Sequence, residues 1–142
     1  YLLLTEMGHL GLSLFAGYVC YRLCKKRISY VLSIISGFLV DFDHYVDFLL
    51  WGGKWYDLAG FLSGTQYNLG APCYIVFHSW ELVLLLGVLT AISKKKYIFC
   101  ALLLGLIFHL IWDYVTNPAY WYAYFWIGRF LNGFDLARIF AC

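Results

Sequence analysis

Lys94-Lys95-Lys96-Tyr97-Ile98-Phe99-Cys100-Ala101-Leu102-Leu103-Leu104-Gly105-Leu106-Ile107-Phe108-His109-Leu110-Ile111-Trp112-Asp113-Tyr114-Val115-Thr116-Asn117-Pro118 is the stretch from which the rest of the chain can be read. About 20 consecutive apolar residues cross a hydrocarbon core, so it predicts a transmembrane helix over 97–116. Three lysines stand at one end, and His109 and Asp113 at the other. Residues four apart share a helix face. Ionisable groups at membrane depth cost about 2.5–3.5 kcal/mol each even on lenient insertion scales, so such pairs usually face an interior site. Pro118 disfavours helical geometry in the residue before it and ends the helix.

The same organisation recurs along the chain. Apolar segments at 4–24, 29–50 and 72–92 are also long enough to span, and they carry His9, His44 and His78, one each. Between the first two lie Arg22, Lys25, Lys26 and Arg27; between the last two lie Lys94, Lys95 and Lys96. The positive-inside rule puts these two loops in the cytoplasm, and the N-terminus and the 51–71 loop outside. Counted from its basic end, His9 is 13 residues from Arg22, Asp41 and His44 are 14 and 17 from Arg27, His78 and Glu81 are 16 and 13 from Lys94, and His109 and Asp113 are 13 and 17 from Lys96. At helical rise these separations are all roughly 20–25 Å. Every segment is therefore expected to deliver its polar groups to a similar depth, near the extracytoplasmic interface.

Composition agrees. The 142 residues are 63% hydrophobic and 13% charged, against roughly 45–50% and 25% in soluble domains. The expected fold class is all-α: one membrane-embedded domain of about four transmembrane helices, followed by an aromatic C-terminal segment. A net charge of +2 is too small to point to nucleic acid. Residues 1–21 lack a basic leader and run straight into a second span, so they read as a span and not as a cleavable signal. The five cysteines contain no Cys-x-x-Cys and read as small buried hydrophobes, although Cys20 and Cys24 share a helix face. The glycines of 51–71 break any helix, and a loop of that length can form a lid. After Pro118 the run Tyr120, Trp121, Tyr122, Tyr124, Phe125 and Trp126 favours the headgroup region as an interfacial or re-entrant helix.

Three motifs carry the chemistry. In Asp41-Phe42-Asp43-His44-Tyr45-Val46-Asp47, three acids and a histidine meet at one membrane boundary, where carboxylates repel unless a cation neutralises them. Against it stands a helix end with solvated acids. In His78-Ser79-Trp80-Glu81 the i,i+3 pair can offer two ligands from one helix; di-metal bundles use the reversed order. His109 and Asp113 form a two-ligand pair, or a ligand with a carboxylate orienting its imidazole; the plainer alternative is an interhelical His–Asp hydrogen bond. His9 follows Thr5-Glu6-Met7-Gly8, a capped helix start, and matches the others in depth. Arg129 reads either as a holder of an anionic group such as phosphate or as an interfacial, snorkelling arginine.

Together these motifs resemble the YdjM-like, LexA-regulated family of membrane-bound metal-dependent hydrolases. That family has an early histidine, a Pro-Asp-x-Asp-His element, a Thr-His-Ser element and a Ser-His-x-x-x-Asp-x-x-Thr element. The matching residues are His9; Asp41, Asp43 and His44; His78 and Ser79; then His109, Asp113 and Thr116. They cover about 9–117 in the same order. Val40 stands in place of the proline and Phe77 in place of the threonine, and Tyr74 lies where the family has an extra His-Arg. The resemblance implies hydrolysis related to that of zinc-dependent phospholipases.

The leading expectation is a membrane hydrolase whose metal ligands are Asp43, His44, His78, His109 and Asp113, with His9, Asp41, Asp47 and Glu81 as supporting or additional ligands. Mixed nitrogen and oxygen donors suit zinc, with manganese or iron as alternatives. Glu81 or Asp41 is the candidate general base. Depth near the headgroups favours membrane lipids or an amphiphilic phosphodiester as substrate, in a prokaryotic inner (cytoplasmic) membrane. A cation transporter would use the same residue types but should continue its polar path inward, where only Ser33, Ser36, Thr90 and cysteines are found. A haem protein would use paired histidines, which the flanking carboxylates fit poorly. A structural membrane protein with a buried His/Asp cluster is the remaining alternative.

Overall fold

The computed structural model describes residues 2–63, 70–117 and 119–139. It is all-helical, with no β-strand among the described residues. In chain order the helices are α1 (Leu2–Cys24), α2 (Ile28–Gly37), α3 (Phe42–Trp51), α4 (Leu58–Leu62), α5 (Trp80–Ile92), α6 (Lys96–Thr116), α7 (Trp126–Leu131) and α8 (Leu136–Ile139). The chain divides into two compact units: 1–40 with 80–117, and 41–79 with 118–142.

In the first unit α6 packs against α1, α2 and α5, and α1 also packs on α2. Of the described helices, α6 is long and apolar enough to cross a membrane. The packing surfaces combine small residues with leucines. Ser13, Ala16, Ser29, Ser33, Ala101, Leu86, Leu106 and Leu110 are buried, while Leu10, Leu14, Phe15, Val31, Ile35, Leu84, Leu85 and Val88 are exposed. Small residues at helix contacts allow close approach, and hydroxyls bond across helices. Ser33 Oγ donates to the Ala101 carbonyl at 3.1 Å. A Cβ on Gly105 would lie 2.6 Å from the Ser33 carbonyl oxygen, and one on Gly37 would lie 2.8 Å from the Gly105 carbonyl oxygen. Gly105→Leu should therefore force α2 and α6 apart, at a cost of about 1–3 kcal/mol or more, read as a lower thermal midpoint. An unchanged midpoint would show that the contact is slack.

Two of the four expected spans differ from their sequence reading. The segment 29–50 is two helices, with a 3-10 turn at Leu39–Asp41 between them. Gly37 sets α2 against Ser13 of α1 and Gly105 of α6, and the chain leaves helical geometry at Phe38 (φ −121°). The segment 72–92 is helical only from Trp80. Its first residues are held in irregular geometry by side chains distant in sequence, described below.

The second unit gathers α3, α4, the irregular segment 70–79, and α7 with α8. Phe48 is buried, with Tyr45, Trp51 and Phe61 around it at ring separations of 6.2, 6.4 and 5.8 Å. Gly52, at φ +108°, ends α3 in the left-handed region that favours glycine. Asp57 caps α4 by accepting the Gly60 N–H at 2.9 Å. The lid expected over 51–71 is thus interrupted by α4, and its 64–69 portion lies outside the described residues. The run Tyr120–Phe125 forms turns, and a helix starts only at Trp126, where the sequence suggested one through the aromatic run. Among the described residues, backbone bonds in this unit run from Tyr120 N–H to the Ile139 carbonyl (3.2 Å) and from Cys73 N–H to the Phe134 carbonyl (2.9 Å).

Candidate functional site

In the first unit, His9 of α1 and His109 of α6 stack at 4.1 Å between ring centroids, both buried. Asp113, one turn beyond His109, reaches both rings: Oδ1 is 3.3 Å from His9 Nε2 and Oδ2 is 3.2 Å from His109 Nε2. Gly37 contributes through its backbone. Its carbonyl lies in the last turn of α2, where carbonyls lose their intrahelical partners, and it accepts a hydrogen bond from His109 Nδ1 at 3.0 Å.

That bond fixes the protonation of the ring. A carbonyl only accepts, so Nδ1 carries the hydrogen, and in a neutral imidazole Nε2 then presents a lone pair. That lone pair faces a carboxylate oxygen. Two acceptors at 3.2 Å repel unless a positive charge lies with them, either a second ring proton or a metal ion. Metal-ligating histidines typically give their other N–H to a carbonyl or carboxylate, as His109 does here.

The second unit repeats the arrangement with different residues. His78 is buried, and its Nδ1 is 3.0 Å from Asp43 Oδ2 while its Nε2 is 3.1 Å from Asp41 Oδ1. Asp43 Oδ2 also accepts the Phe77 N–H at 3.0 Å. A neutral ring cannot donate from both nitrogens, so one of them again faces a carboxylate as a lone pair unless a second ring proton or a metal ion is present. His44 Nε2 lies 3.8 Å from Asp41 Oδ1. Asp41, His44 and His78 each present one ligand atom, and the three lie within 4.8 Å of one another. Asp43 Oδ1 is buried with no hydrogen-bond partner among the described residues, a desolvation cost that a nearby cation would offset. The spacing of Asp41, His44 and His78 therefore fits a divalent ion.

Asp43→Asn keeps an acceptor for the Phe77 amide but removes the charge opposite His78. It should weaken metal binding about 10–100-fold, measured by competition with a chromophoric chelator. Unaltered affinity would exclude Asp43 as the group that orients His78.

The backbone around His78 is held by two further residues. Asp47 Oδ2 accepts the amides of Tyr74 (2.7 Å) and Ile75 (3.0 Å). Arg129, wholly buried, donates from Nη1 to the carbonyls of His78 and Ala123, both at 2.7 Å, and from Nη2 to that of Ile75 at 3.1 Å. Ile75 sits at φ +29°, a position a β-branched residue takes only when its surroundings impose it. Asp47 and Arg129 grip its two peptide groups, one from each side. Both thus act on backbone, where the sequence suggested a metal ligand and an anion or interface contact. Glu81 lies half-buried in the first turn of α5.

The structure thus groups His9, His109 and Asp113 in one unit, and Asp41, Asp43, His44 and His78 in the other. Within the second cluster Asp41 and Asp43 each lie against one ring nitrogen of His78. The Gly37 carbonyl was not visible in the sequence; a glycine at the depth of the acids was its only signal. No protein-family model, curated protein or solved structure significantly matches this chain.

Proposed function

We propose that the chain is a membrane-bound, metal-dependent hydrolase of the YdjM-like kind, with α1, α2, α5 and α6 as its membrane-embedded helices. The observation that carries this reading is that His109 and His78 each turn a ring nitrogen toward a carboxylate while the other nitrogen is already bonded. A cation is the simplest group to occupy such a position. The exposed apolar faces of α1, α2 and α5 support the membrane setting.

Asp41, His44 and His78 would hold metal in one unit, and His9, His109 and Asp113 in the other. Zinc suits mixed nitrogen and oxygen donors best, with manganese or iron as alternatives. When bound, such an ion supplies a water acidic enough to give hydroxide near neutral pH. The chain's own residues do the rest. Asp43 and the Gly37 carbonyl fix ring tautomers, and Asp113 ties His9 to His109. Asp47 and Arg129 hold the irregular backbone that carries His78. A lipid phosphodiester or similar amphiphile at the extracytoplasmic face of a prokaryotic inner membrane is the proposed substrate class.

The test is metal content by mass spectrometry on detergent-purified protein. About one or two equivalents of zinc or manganese, reduced in His109→Ala, would support the reading and direct phosphodiesterase and lipase screens. No metal in either protein, after chelator-free purification and reloading, would sink it.

A further inference from the structure

The basic end of the first unit carries a second constellation, 11 and 9 residues along the same helices from His9 and His109. Cys20 and Cys24 sit one turn apart on α1, and Cys100 sits one turn into α6 from Lys96. Their three sulfurs lie within 4.8 Å of one another. All three are free thiols; Cys20 is buried, and Cys24 and Cys100 are partly so. The Cys20 thiol points across to α6, where its Sγ lies 3.7 Å from the Tyr97 carbonyl oxygen.

We propose that Cys20, Cys24 and Cys100 form a three-thiolate site for a soft monovalent ion, copper(I). Three sulfurs held at about 2.3 Å around one ion in a plane stand about 4.0 Å apart, so small side-chain rotations close the site. Soft thiolates select copper(I) over hard cations. Zinc favours a fourth ligand, and the cluster holds three. Arg22, Lys25, Lys26 and Arg27 follow the first two cysteines, and Lys94, Lys95 and Lys96 precede the third. The bound ion would staple α1 to α6, at the opposite end from His9, His109 and Asp113 along both helices.

The experiment is an anaerobic titration of the reduced, detergent-purified protein with copper(I) against a chromophoric copper(I) chelator. Alkylation of each cysteine, with and without copper, is counted by peptide mass spectrometry. The expected result is about one equivalent bound, with Cys20, Cys24 and Cys100 shielded from alkylation by copper. Cys100→Ser should weaken binding by roughly 100-fold or more, while Cys73→Ser and His109→Ala bind as the parent does. A parent protein that fails to compete for copper, or a Cys100→Ser variant that binds equally well, overturns the proposal. Should Cys100→Ser fold poorly, the alkylation pattern of the parent decides alone: no selective shielding of the three cysteines overturns it.

Discussion

Asp113→Ala is expected to lose retained metal from the cluster on α1 and α6. This carboxylate touches both His9 and His109, so one exchange removes a ligand and also the group that keeps the two rings together. Stability should fall as well. Breaking a buried charged pair by deleting one partner costs about 3–5 kcal/mol, and this pair is buried between helices. Asp113→Asn separates the two effects, because it keeps the volume and one acceptor but not the charge. If metal organises the cluster, the Asn variant should fold yet bind metal poorly, and added zinc should raise the thermal midpoint of the parent but not of the variant. Unchanged metal stoichiometry in Asp113→Ala would remove it from the ligand set.

Arg129→Met is expected to be the most destabilising exchange in the second unit. The methionine fills much of the same volume but leaves the carbonyls of Ile75, Ala123 and His78 without the donors they now have. Each buried group so orphaned costs about 1–3 kcal/mol, so a loss of at least about 3 kcal/mol follows. Arg129→Lys should recover only part of it, since an ammonium cannot reproduce the planar fork. The informative readout is a pair of measurements, thermal midpoint and metal affinity. Displacement of the Ile75–His78 backbone predicts that both fall together. A variant that kept its midpoint and lost only activity toward an anionic substrate would return Arg129 to the anion-holding role its sequence position suggested.

The helical class was legible because it depends on local composition. The interruptions were not. Strongly apolar and with no proline after Pro72, 29–50 and 72–92 read as continuous helices. The groups that make irregular backbone tolerable at 74–78 come from far along the chain: Asp47 lies 27 and 28 residues from the amides it accepts, and Arg129 lies 51 and 54 from His78 and Ile75. Buried non-helical backbone is stable only when such partners arrive, and single-sequence periodicity carries no record of them. The same interruption bears on how Asp41 and Asp43 are placed. A continuous helix would have set their directions by helical spacing, whereas the turn at Leu39–Asp41 gives Asp41 a different direction. The cysteine constellation was half legible: Cys20 and Cys24 share a face, but Cys100 joins them only through the pairing of α1 with α6.

The uneven helix lengths of the first unit have a consequence for the membrane setting proposed above. At helical rise, α2 with 10 residues and α5 with 13 reach about 15 and 20 Å, well short of a hydrocarbon core about 30 Å thick, whereas α1 with 23 and α6 with 21 match it. Lipids beside the short helices must compress their chains, at fractions of a kcal/mol per Å of mismatch. Bilayer thickness thereby becomes a control variable for this protein, and reconstitution into short-chain lipids should favour its folded state over reconstitution into long-chain ones.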